Sequence, residues 1–155
     1  MRKAFLLLAI LATSACSSLD SSGPVSSAAV SIGDAWTEIS LDRPLRALHR
    51  NAYVDLDVSA VVPSVNAPQE FEKFYDTMKS RFPAGCIQGL LIDADGKEYR
   101  IENEPAGVSS FTASENFVSV HSTSGLPTNT RFTKLKLRAS CALSNARVFW
   151  AAFRW

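Results

Sequence analysis

The sequence predicts a mainly β, α+β domain: an antiparallel β-sandwich of about seven strands with one amphipathic helix. Three observations carry this. Apolar and polar residues alternate along several segments, as Val54, Leu56 and Val58 do with Tyr53, Asp55 and Asp57. One stretch, residues 68–82, follows the 3.6-residue period of a helix instead. After Gly85 every apolar segment is strand-like and bounded by turn-forming Gly, Pro, Asn or Asp. The 155 residues are 46% hydrophobic and 20% charged, which excludes a disordered or collagen-like chain. With 16 Lys+Arg against 15 Asp+Glu, the chain lacks the strongly basic balance of a dedicated nucleic-acid binder.

Residues 1–16 read MRKAFLLLAILATSAC. Arg2 and Lys3 form a positive start, and Ala4 to Ala12 form an apolar run. That run is too short for a bilayer core of ~30 Å, which needs about 20 residues. It has the layout of a cleaved secretory signal. Thr13, Ser14 and Ala15 lead into Cys16, and the segment resembles a bacterial lipoprotein signal peptide, whose lipobox ends in a cysteine that becomes the acylated first residue. It departs from the pattern at Thr13, where an aliphatic residue is usual. The resemblance implies removal of residues 1–15 and acylation of Cys16. Ser17, rather than Asp, after the cysteine implies transfer to the outer membrane, with the domain facing the periplasm. Several acyl chains, at ~0.8 kcal/mol per buried CH₂, make such an anchor stable. Removing Arg2 and Lys3 from the 16 basic residues leaves 14 against 15 acids, a formal charge of −1.

Residues 16–35 follow as the acylated cysteine and a Ser/Ala-rich stretch without an aromatic residue. So little apolar surface predicts a flexible tether, with a mean span of about 24 Å from roughly 5–6 Å × √19. Residues 36–155 are then a single β-rich domain.

Within that domain the first strands are expected at 36–41 and 51–62, the second stopped by Pro63. In the helix 68–82, Phe71, Phe74, Tyr75, Met78 and Phe82 form one stripe that packs on the sheet. Asn66 caps its start, Pro68 suits its first turn, and Pro83 and Gly85 end it. Strands 86–93 and 97–102 flank the hairpin turn Asp93-Ala-Asp-Gly96. Strands 107–112 and 116–122 come next, then a loop at 124–130. Residues 132–141 alternate, with Thr133, Leu135, Leu137, Ala139 and Cys141 on one face. The last strand, 146–155, is apolar on both faces apart from Arg147 and Arg154. The pair FTKLKLRASCALSNARVFW resembles the closing strands of jelly-roll binding domains, which implies a jelly-roll-like sandwich.

With Cys16 acylated, Cys86 and Cys141 remain for a disulfide, as an oxidising compartment favours. Cys86 shares a strand face with Leu90 and Ile92, and Cys141 shares one with Leu135 and Leu137, so both point towards a core.

Metal and catalytic signatures fail on spacing. Asp93, Asp95, Gly96 and Glu104 imitate part of a calcium loop, but Lys97 occupies a ligand position and the glycine comes two places early. No metal or other cofactor is expected. Asp55 and Asp57 share a strand face at roughly 6–7 Å, close enough for acid/base work, but no partnered histidine accompanies them. His49 and His121 have no nucleophile elbow or metal-ligand spacing. Ser119, His121 and Ser122 lie close in sequence, but neighbours in one strand alternate faces. No catalytic residue is expected, and the protein is read as a non-enzyme.

The charge distribution says more than its total. Residues 131–155 contain Arg131, Lys134, Lys136, Arg138, Arg147 and Arg154 and no acid, whereas 93–115 contain Asp93, Asp95, Glu98, Glu102, Glu104 and Glu115. Lys134, Lys136 and Arg138 alternate with core residues, so with Arg131 they form a candidate binding face for an acidic protein, glycan or lipid headgroup. Cross-strand pairing with the acidic segment would neutralise it. The expected function is a non-catalytic lipoprotein that binds a protein partner, of a size that suits an immunity or inhibitor protein against a secreted toxin. The alternatives are a carbohydrate- or peptidoglycan-binding module and a hydrolase without a recognised motif.

Overall fold

The computed structural model describes residues 22–62, 71–104, 111–112 and 115–152. Four short strands come first: β1 (Gly23–Pro24), β2 (Val30–Ile32), β3 (Thr37–Ile39) and β4 (Leu45–Arg46). Strand β5 (Tyr53–Asp57) precedes the helix α1 (Phe71–Arg81). Then come β6 (Ile87–Asp93), β7 (Glu98–Asn103), β8 (Phe111–Thr112), β9 (Glu115–His121), β10 (Arg131–Ala139) and β11 (Leu143–Ala151). The eleven strands pair in one sheet of order β1-β11-β5-β9-β7-β6-β10-β3, with β2 also on β11, β4 on β10 and β8 on β9. Among the described residues the fold is thus mostly antiparallel β with a single short helix, as the alternation and the lone helical period predict.

The sheet curls because its N-terminal segment bridges β10 and β11. Val25 N–H donates to Val148 (3.0 Å), and Asp42 N–H donates to Val25 (2.9 Å). Ile32 pairs with Leu143 of β11, while Gly33 C=O accepts the amide of Ala139 of β10 (2.8 Å). At the other end, Ala47 N–H reaches Thr130, and Leu48 and His49 N–H both reach Ala152. Residues 22–35 are therefore built into the sheet, with Val25 and Ile32 buried, and the tether expected there does not hold for them. The reason is local: two apolar residues and a few backbone pairs order a Ser/Ala-rich stretch when a strand edge is offered to it. Cys16 and the rest of residues 1–21 lie outside the described residues.

Strand β5 follows its alternation, with Val54 and Leu56 fully buried on the inner face. It stops at Asp57 rather than at residue 62. The Asp57 carboxylate accepts the Ser59 amide (3.0 Å), and Val58 C=O accepts both Val61 and Val62 N–H (2.9 Å each), so an Asx-type turn replaces the ladder. Of the predicted stripe, Phe74 and Met78 of α1 and Phe82 just after it are buried, while Tyr75 is half-buried; positions 63–70, with the expected Asn66 cap and Pro68, and the Phe71 side chain lie outside what is described. Asn103, 1% exposed, locks the helix end to the sheet. Its amide nitrogen donates to Phe82 C=O (3.3 Å) and Pro83 C=O (3.0 Å), and its oxygen accepts Ile87 N–H (2.8 Å).

The hairpin between β6 and β7 turns at the predicted residues. Asp93 Oδ1 accepts the amides of Asp95 (3.0 Å) and Lys97 (2.9 Å), and Gly96 takes a φ of +82° that a side chain would disfavour. On β6 the inward residues are Ile87, Gly89 and Leu91, not Leu90 and Ile92 with Cys86. Cys86 lies just before the strand, so it does not share its alternation. A Cβ on Gly89 would stand 2.7 Å from Ile101 and 2.9 Å from Leu137, so the close approach of three strands depends on this glycine.

On β10 the register slips between Phe132 and Lys134. This bulge buries both Phe132 and Leu135 and leaves Thr133 outside, so Thr133 does not join the inward face with Leu135, Leu137 and Ala139. The core closes on Trp150, whose ring meets Phe132 edge-on at 6.1 Å and whose indole N–H donates to Arg46 C=O (2.9 Å). The last expected strand residues, 153–155, lie outside the described residues, as do 107–110 of the strand expected at 107–112.

Candidate functional site

The outer face of the sheet carries the candidate residues. Beyond the bulge, Lys134, Lys136 and Arg138 alternate with the buried Leu135, Leu137 and Ala139 and point outward. Their partners on β6 are Ile92, Leu90 and Gln88. The acidic β7 lies one strand further on, where Glu98, Arg100 and Glu102 stand opposite Ile92, Leu90 and Gln88. Two inter-strand spacings, about 9.4–9.8 Å, thus separate the cations of β10 from the acids of β7. Cross-strand neutralisation by the acidic segment therefore does not occur on these rows. On the other side only Glu38 of β3 faces the stripe, opposite Lys136. Among the described residues no ion pair within 4 Å holds Lys134 or Lys136.

Arg138 is held differently. Its Nε and Nη2 both donate to Gln88 Oε1, at 3.0 and 2.6 Å, and its guanidinium lies 4.7 Å from the centre of the Trp36 ring. Trp36 is 40% exposed, so the stripe ends on an aromatic platform. Arg131 starts β10 opposite Arg46 of β4, whose Nη2 donates to Asn129 (2.9 Å), and it stands on the other side of the bulge from the three-residue stripe.

Cys86 and Cys141 form a disulfide with Cα atoms 5.6 Å apart. The bridge clamps the start of β6 to the end of β10, next to the Ile87–Ala139 pair and the bond from Ser140 N–H to Cys86 C=O (2.9 Å). Cys86 is buried, and Cys141 is half-buried against the core.

The two aspartates of β5 have separate partners. Ser119 Oγ donates to Asp55 Oδ1 at 2.6 Å, and Arg147 Nε donates to Asp57 Oδ2 at 3.0 Å. Burial alone would raise the Asp57 pKa, but the hydrogen bonds from Ser59 and the Arg147 guanidinium outweigh it. They hold the carboxyl below its ordinary value. Ser119 is fully buried, and its hydroxyl donates a hydrogen bond to Asp55. His49 is exposed, and its Nδ1 accepts the Asn51 amide at 3.2 Å in a turn. Asp93, the first residue of the imitation calcium loop, turns one oxygen to backbone amides and the other to the Tyr99 hydroxyl at 3.2 Å. Among the described residues no group of three His, Cys, Asp or Glu side chains is placed to hold a metal.

Sequence reasoning missed Trp36 and Gln88 as neighbours of the stripe. Their alignment comes from strand register, which no local pattern encodes. No helix among the described residues is long and apolar enough to cross a membrane. Comparison of the chain with protein-family models, with curated proteins and with solved structures finds no match.

Proposed function

We propose that the chain is a non-catalytic lipoprotein of the bacterial envelope, anchored through Cys16, whose β domain binds a protein partner with an acidic surface. The observation that carries this reading is the outward stripe of Lys134, Lys136 and Arg138. None of its three cations has an ion pair among the described residues, and Arg138 is fixed between Gln88 and Trp36. Arg and Trp are both enriched at the hot spots of protein interfaces, and flanking lysines steer an acidic partner towards them. A secreted toxin neutralised by an immunity or inhibitor protein is one partner of this kind. The anchor is supported by Arg2, Lys3, the apolar run and Cys16 in the sequence.

The test is capture of partners from envelope extract by the full chain, compared with the Lys134→Glu, Lys136→Glu double variant. Capture should be lost in the variant while it remains folded, its stability lowered by about 1 kcal/mol or less because Lys134 is exposed and Lys136→Glu sets a like charge opposite Glu38. Unchanged capture of every partner by the variant would reject the stripe as the binding face. Fatty-acid labelling of wild type and Cys16→Ser tests the anchor, and equal labelling of the two would reject it.

A further inference from the structure

A second line of outward side chains crosses the cationic stripe at Arg138. Strand pairing sets His121 of β9 opposite Glu102 of β7, Glu102 opposite Gln88 of β6, and Gln88 opposite Arg138 of β10. Tyr53 of β5 stands beyond His121, with ring centroids 5.8 Å apart, and Trp36 stands beyond Arg138. Two recesses open along this row, one on each side of the Gln88–Glu102 pair. The first, of about 220 Å³, is lined by Glu98, Arg100, Glu102, His121, Ser122 and Ser124 among others. The second, of about 280 Å³, is lined by Asp34, Gly85, Gln88, Arg138 and Ser140 together with Cys86.

We infer that the two recesses, linked by the cross-strand pair Gln88–Glu102, are subsites for an uncharged oligosaccharide. Glu102 is half-buried and makes no hydrogen bond or ion pair among the described residues, so both carboxylate oxygens remain to accept ligand hydroxyls. Arg138 uses Nε and Nη2 on Gln88 and makes no other hydrogen bond among the described residues, so Nη1 remains a donor in a fixed orientation. The paired acceptors of the Glu102 carboxylate match the vicinal hydroxyls of a sugar ring, and Trp36, partly exposed and stacked on Arg138 at the end of the row, offers an aromatic surface for its apolar face.

Charge narrows the ligand further. Each recess contains both signs, Glu98 and Glu102 with Arg100 in one and Asp34 with Arg138 in the other. A polyanion would meet the carboxylates and a polycation the guanidinium groups, whereas a neutral polyhydroxyl chain meets neither penalty. The scaffold is rigid: the row lies on strands, and the Cys86–Cys141 bridge borders the second recess. This ligand is separate from the protein partner proposed above and shares only Arg138 and Trp36 with its face.

The experiment presents the full chain to an array that carries neutral hexose and N-acetylhexosamine oligomers beside sulfated and uronic-acid glycans, followed by calorimetry on the neutral oligomer bound. Glu102→Gln and Trp36→Ala should each weaken that binding about tenfold, the loss expected for one charge-assisted hydrogen bond or one stacking contact. Lys73→Glu, exposed on α1 and outside both the row and the cationic stripe, should leave it within about twofold. Thermal melting shows that each variant is folded. The inference is overturned if no neutral oligomer binds, if only sulfated or uronic glycans bind, or if the Glu102 and Trp36 variants bind as the wild type does. None of these results touches the protein capture test, which reads Lys134 and Lys136.

Discussion

Arg147 and Asp57 face each other across β11 and β5, and the carboxylate is almost completely buried while the arginine side chain is half exposed. Asp57 also holds the Ser59 amide that ends the strand, so one side chain both pairs a cation and stops β5. Asp57→Asn should lower stability at pH 7 by about 1–2 kcal/mol, the cost of weakening hydrogen bonds to a charged acceptor. The sign of the pH dependence follows from the lowered pKa. The carboxylate contributes fully above its ordinary value of 3.8, and the contribution is lost as pH falls through the lower folded value. Denaturation curves of wild type and variant should therefore differ at pH 7 and converge in strong acid; a constant difference down to pH 2 would contradict the assignment.

The disulfide closes a sequence separation of 55 residues. Reducing it, or replacing both cysteines with serine, should cost about 4 kcal/mol by loss of the chain-entropy constraint on the unfolded state. Melting with and without reductant measures this. Because the bridge sits at the end of the β6–β10 ladder, amide exchange should rise first at Ile87 and Ser140, rather than near the Asp93 turn.

Asn103 satisfies three backbone groups at once, those of Phe82 and Ile87 in buried bonds. Asn103→Ala leaves Ile87 N–H and the carbonyls of Phe82 and Pro83 without it, and should destabilise by about 2–4 kcal/mol. A larger effect on unfolding of α1 than on the β5–β9 pair, read by site-resolved exchange, would show that Asn103 acts as the link between helix and sheet.

The sequence made some of this plain because local chemistry decided it. Val54 and Leu56 lie inside because a strand alternates, and Phe74, Met78 and Phe82 because a helix repeats; Asp93 and Gly96 build their turn with their own atoms. Other features were decided at a distance. Val25 and Ile32 are buried by pairing with β11, more than a hundred residues away along the chain. The slip at Phe132 changes which residues face inward without any glycine or proline to announce it. The stripe of Lys134, Lys136 and Arg138 could be read from alternation, but its isolation from the acids of β7 depends on β6 lying between them. The row from His121 to Arg138 exists only through the register of four strands.

Strand β11 lies between β5 on one side and β1 and β2 on the other, and Ser22 Oγ accepts the Ala152 amide at 2.9 Å. The first and last described residues are thus held together by one bond. A chain emerging N-terminus first can pair β6 with β7 early, but β1 and β2 have no strand to join until residues 143–151 arrive. Until then β5 keeps an open edge and the N-terminal residues stay extended. Completion of the last strand therefore closes the sheet and positions the N-terminal segment in one step, and a chain stalled before it would present unpaired edges to proteases and chaperones.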